Sequence, residues 1–142
     1  MHDATAVFSV SCALLTFLLA GLSLATALRR AKVKVFTNPE DAARFPGATV
    51  ADFDHSDVAR LVRVHRNVLE NFVPYFALGT LWLGLGVSAG VAPWLFAVFT
   101  VSRGAHVALF LAKQSRARSV AHAIGFFVLI VLAGGVLYRM IA

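Results

Sequence analysis

Apolar side chains gather into three long stretches with no Asp, Glu, Lys or Arg: 4–28, 72–102 and 119–138. A helix crossing a bilayer needs about 20 such residues, so the first and last stretches each suit one span. The middle stretch is too long for one. It is broken by Ser88-Ala89-Gly90-Val91-Ala92-Pro93, turn formers with a proline where a helix begins. The pattern therefore predicts an all-α membrane protein, a single domain of four transmembrane helices. The spans run over about 5–28, 58–87, 92–113 and 117–140, with a polar loop over about 29–57.

The start of the second span departs from an apolar pattern. At 100° per residue, Arg60, Arg63, Asn67, Glu70 and Asn71 fall within an arc of about 100° on one helix. Lipid cannot solvate that stripe, so it must face protein, water or a bound polar ligand. Before it, Asn38-Pro39-Glu40-Asp41 reads as a short helix start, and Phe45-Pro46-Gly47 as its break. Asp54 or Ser56 is the expected N-cap of the second long helix. Pro74 lies inside that helix, where it either kinks it or is absorbed by packing.

Composition agrees with a membrane setting. Only 14% of the 142 residues are charged, against about 25% in soluble domains, and mean hydropathy is +0.78. The segment Met1-His2-Asp3 lacks the basic region of a cleavable signal, so the first span is expected to stay. Eight of the thirteen Lys and Arg lie between Arg29 and Arg66, and Lys113, Arg116 and Arg118 flank the third connection. The positive-inside tendency puts both regions in the cytoplasm and both termini on the other side. The net charge of +6 is then topological, and nucleic acid is not an expected partner. The single Cys12 rules out an internal disulfide and suits a small packing role.

Within the spans, Arg103 sits about 15 Å from either end of its helix, too far to snorkel easily. Glu70, the only acid inside the spans, is its expected ion-pair partner. His106 shares the Arg103 face at i+3. No His, Asp or Glu cluster has metal spacing, and no phosphate loop, dinucleotide fingerprint or nucleophile elbow is present. Arg60, Arg63, Arg66 and Arg118, set against Glu70, suit a small molecule with several carboxylates and one ammonium. Such a field lowers the pKa of a bound thiol from its reference of about 8.5. A peptide thiol held there becomes a thiolate beside a lipid phase that dissolves apolar electrophiles. Charge alone does not name that ligand.

Three segments do. They are Val35-Phe36-Thr37-Asn38-Pro39-Glu40-Asp41; Arg63-Val64-His65-Arg66-Asn67-Val68-Leu69-Glu70-Asn71 with Pro74; and Arg103-Gly104-Ala105-His106 followed by Arg118-Ser119. In order and spacing the chain resembles the MAPEG superfamily, in its branch of microsomal glutathione transferases and prostaglandin E synthases. The resemblance implies a homotrimer that binds glutathione between neighbouring subunits, near the cytoplasmic face. Arg63, Arg66, Asn67 and Glu70 match glutathione contacts, as do Arg30 and His106; Arg103 and His122 are grouped with them. Arg118 matches the arginine that stabilises the thiolate, Asp41 its acidic neighbour, and Ser119 a serine that hydrogen-bonds the sulfur. Phe110 and His122 stand where the synthase branch has tyrosines, which weakens the match to that activity. The expected function is conjugation of glutathione to a hydrophobic electrophile arriving from membrane lipid, with possible reduction of lipid hydroperoxides. The alternatives are a lipid-binding scaffold and a prostaglandin-E-synthase-like isomerase. A transporter is disfavoured, because inverted repeats are absent.

Overall fold

The computed structural model describes residues 2–142, with side chains from residue 4 onward. Four long helices carry the fold: α1 (His2–Val33), α3 (Ser56–Gly84), α4 (Ala92–Leu111) and α5 (Ser115–Ile141). Between α1 and α3 lie two short strands, β1 (Val35–Phe36) and β2 (Thr49–Val50), and a single helical turn, α2 (Pro39–Ala42). The strands pair in parallel, Val35 opposite Thr49 and Phe36 opposite Val50. Phe36 is buried and stacks on Phe45 with ring centroids 5.0 Å apart, which pins this connection to itself.

Length and composition make three helices able to cross a membrane: Ala4–Val33, Ala92–Leu111 and Ser115–Ile141. The chain is an all-α membrane protein. α3 falls outside that set because its first half is charged, yet it packs along α1 and α5. It runs through Pro74 without a break.

The start of α3 differs from expectation. His55 occupies the N-cap, and its Nδ1 accepts from the Asp57 amide at 3.3 Å. Asp54 is drawn away by Arg30 of α1, which donates to it at 2.9, 3.1 and 3.2 Å. Asp57 takes a hydrogen bond from Arg29. Asp54, one of the two expected caps, instead joins Asp57 in tying α1 to the start of α3. The Arg29 guanidinium holds the Asp57 carboxyl below its ordinary pKa.

Two cores stack along the bundle. One gathers Phe8, Leu15, Tyr75, Trp82, Phe96, Phe99, Val128 and Leu132, with Tyr75 stacked on Phe99 at 4.1 Å. The other joins Leu22, Val64, Val68 and Val107 nearer the charged connection. Lipid tails are as apolar as leucine, so close packing rather than hydrophobic exclusion holds such helices together. Gly79 lets the Phe8 ring lie on the α3 backbone, and Gly135 does the same for Trp82 on α5; a Cβ at either position would overlap the ring.

Candidate functional site

α4 and α5 are joined by the short turn 112–114, in which Lys113 takes a φ of 62°. The turn brings the end of α4 against the start of α5. His106 and Phe110, one turn apart on α4, then face Arg118, Ser119 and His122 on α5, with Asn67 of α3 closing the third side. These six side chains line a hollow of about 310 Å³.

Each wall has a distinct chemistry. The Arg118 guanidinium carbon lies 4.6 Å from the centre of the Phe110 ring, within cation–π range. His106 Nδ1 is 3.3 Å from the Arg118 carbonyl. A carbonyl only accepts, so Nδ1 carries the proton and Nε2 is left as an acceptor. The His106 and His122 rings are 5.6 Å apart. Ser119 Oγ donates to the Ser115 carbonyl at 3.1 Å. Asn67 Oδ1, His106 Nε2 and His122 Nδ1 have no hydrogen-bond partner, a concentration of unmet polar capacity that buried groups ordinarily avoid.

The other residues singled out by the sequence lie elsewhere on the chain. Arg63 is exposed on α3, and Arg66 donates to Glu70 at 2.8 Å, one turn on. Arg30, paired with Asp54, lines a second hollow of about 230 Å³ with Ser23, Thr26, Ala27, Val62 and His65. Asp41 accepts from Asn38 Nδ2 at 3.1 Å in the α1–α3 connection.

The expected Arg103–Glu70 ion pair does not form. Glu70 is held by Arg66 on an exposed face. Arg103 is 1% exposed and donates to the carbonyls of Ala121 and His122 at 3.2 and 2.9 Å. α5, not α3, is the element Arg103 meets. Arg103 does not line the hollow, and neither do Arg60, Arg63 or Arg66.

Sequence reasoning passed over His65 and Thr26 in the second hollow. It also missed Gly125, which lies beneath the Arg103 guanidinium. Ala121 and Gly125, small residues four apart, were the available signal, since that spacing marks close helix contact in membranes.

A helical membrane protein with a cationic, hydrogen-bonding hollow near one end of its bundle is suited to hold a polar molecule beside lipid. Residues 7–138 match the MAPEG family, and the chain belongs to it. It is 34% identical over 123 residues to a prostaglandin E synthase of Equus caballus, covering 86% of this chain and 80% of that protein. It is 35% identical over 124 residues to microsomal glutathione S-transferase 1 of Mus musculus, covering 84% and 77%. A prostaglandin E synthase of Rattus norvegicus is 31% identical over 134 residues, covering 94% and 87%.

Proposed function

We propose that this protein is an integral-membrane glutathione transferase that joins the glutathione thiolate to apolar electrophiles. The supporting observation is the hollow in which Arg118, Ser119, His106, His122 and Asn67 converge, in a chain similar to microsomal glutathione S-transferase 1.

The active form is a homotrimer. Val64 and Val68 pack with Leu22, seven residues before Arg29 on α1, so Arg66 and Glu70 sit about 10 Å inside the apolar slab. There they lie exposed, with Leu69, Val73 and Phe76 nearby on the outer surface of α3. Lipid does not solvate ionised groups at that depth. Two further copies of α3, or water held between them, do. In this reading α3 is a fourth span at the centre of the assembly. The connection 34–55 and the α4–α5 turn face the cytoplasm, and both termini face the other side. The hollow on one copy meets the Arg30 hollow of the next, so that Arg30, Arg63 and Arg66 hold the glutathione carboxylates while Glu70 takes its ammonium.

Glutathione then presents its sulfur to Arg118. The thiol gives up its proton to water, the guanidinium balances the charge of the resulting thiolate, and the Ser119 hydroxyl turns from the Ser115 carbonyl to donate to it. The electrophile enters from lipid, the sulfur forms its bond to carbon, and the leaving group departs with the displaced electron pair. Asp41 and His122 supply outer contacts to the bound peptide. The rate comes from orientation and charge stabilisation. In purified protein, glutathione should produce thiolate absorbance and turn over a dinitrobenzene electrophile. Arg118→Ala should lower turnover by about 10²–10³ while leaving the helical fold intact. Lipid binding without glutathione affinity would overturn this reading in favour of a scaffold.

Ser119 beside Arg118 favours a second reading, a glutathione-dependent isomerase of a prostaglandin endoperoxide. Phe110 and His122 weigh against it, because neither offers the phenolic hydroxyl of that branch. Turnover of the endoperoxide but not of the dinitrobenzene would select it.

A further inference from the structure

The binding reading makes no use of Arg103. Its side chain is buried in the α4–α5 seam, its guanidinium carbon 5.5 Å from the centre of the Phe99 ring. Nη2 donates to two successive α5 carbonyls, those of Ala121 and His122. The guanidinium lies flat against the α5 backbone because residue 125 is glycine; a Cβ there would overlap Nη2, Cζ and Nε together. No carboxylate pairs with it among the described residues, and Nε and Nη1 have no partner. An uncompensated cation inside a span is costly, so a role in stability alone does not account for it.

We propose that Arg103 is a positioning residue: seated over Gly125, it clamps α4 to α5 and so sets the direction in which Arg118, Ser119 and His122 face the hollow. Ala121 and His122 lie within one turn of Ser119, and a helix turns 100° for each residue. A slip or roll of α5 therefore swings Arg118 directly. His106, one turn beyond Arg103 on α4, makes the second hold, through the Arg118 carbonyl. Two contacts from one helix, about 4.5 Å apart along its axis, fix both the rotation and the translation of the other. Arg103 does not itself line the hollow; it meets α5 at the backbone carbonyls of Ala121 and His122, so its effect reaches the sulfur through α5.

The clamp rests on the glutathione reading for what the hollow does, but not for how α5 is held. The test uses the full-length protein in detergent micelles with Arg103→Met, Arg103→Lys, Gly125→Ala and the double variant Arg103→Met/Gly125→Ala. Conjugation rate should fall about a hundredfold in Arg103→Met and Gly125→Ala, the cost of a misplacement of about 1 Å, and thiolate absorbance at fixed pH should fall with it. The glutathione Kd should stay near the wild-type value, since its carboxylates are held by α1 and α3. Arg103→Lys should recover part of the rate, because an ammonium can still reach one carbonyl. The two single effects should not add in the double variant, as both break the same contact. Amide hydrogen exchange over residues 118–126 should quicken in each variant.

Glutathione affinity falling in step with rate would make Arg103 a ligand contact and overturn the clamp. So would additive effects, or unchanged exchange along α5. A wild type with no thiolate absorbance but quickened exchange in the variants would sink the glutathione reading and leave the clamp standing.

Discussion

Single side chains in this protein are tied down by neighbours that hydropathy does not reveal. Asp57 shows it outside the membrane. Its carboxyl takes a hydrogen bond from Arg29, which lowers its pKa from 3.8, the hydrogen bond itself being the largest cause and Arg29's charge the next. A carboxyl whose folded pKa lies below its unfolded one stabilises the fold above the unfolded value and loses that contribution as pH falls through the folded one. Asp57→Asn should therefore lower Tm in detergent at neutral pH, and the difference from wild type should close as the solution is taken below pH about 3.8. A gap that persists unchanged into acid would assign the loss to packing rather than to the ion pair. Arg103 teaches the same lesson inside the membrane. Hydropathy showed that it needed a partner, and Glu70 was the only acid in the spans. The partners it has are backbone carbonyls, and these leave no trace in a side-chain pattern.

At the scale of elements, far more was legible. Charge-free stretches, the 88–93 turn formers and the Asn38-Pro39 start all correspond to helices, turns and caps in the structure. Each depends on local chemistry that a sequence carries in full. Helix–helix crossings are another matter, because they depend on which small residue meets which large one. Gly79 beneath Phe8 is the sharpest example. Gly→Ala in a helix normally stabilises by about 1 kcal/mol through propensity. At residue 79 the new methyl meets an aromatic ring between two packed helices, and overpacking of that kind costs about 1–3 kcal/mol. Gly79→Ala should thus be neutral to destabilising by about 2 kcal/mol, whereas Gly134→Ala, which meets open space, should gain from propensity. Thermal unfolding of both variants in one detergent checks the contrast. Equal gains at the two sites would mean that α1 and α3 are not pressed together at Phe8.

For the whole molecule, the decisive feature is a polar face that the chain leaves uncovered. Arg63, Arg66 and Glu70 lie on the outer side of α3, and the Arg66–Glu70 pair is 79% and 56% exposed. Such a pair at a water surface contributes about 0–1 kcal/mol, and in lipid it is untenable. The hollow lined by Arg118 and the one lined by Arg30 share no residue on this chain. In the proposed reading, an anionic peptide touching both sets of arginines bridges two copies. That reading makes function and assembly one property. Native mass spectrometry in mild detergent should show three chains with up to three glutathiones. Leu69→Glu, which places a further acid on that α3 face, should shift the population toward monomer and abolish glutathione binding in the same step. Each monomer would still carry an intact Arg118 hollow, so helix content and the α4–α5 seam should survive. A monomer that binds glutathione with wild-type affinity would show that the site is complete in one chain, and the need for a neighbour would fall with it.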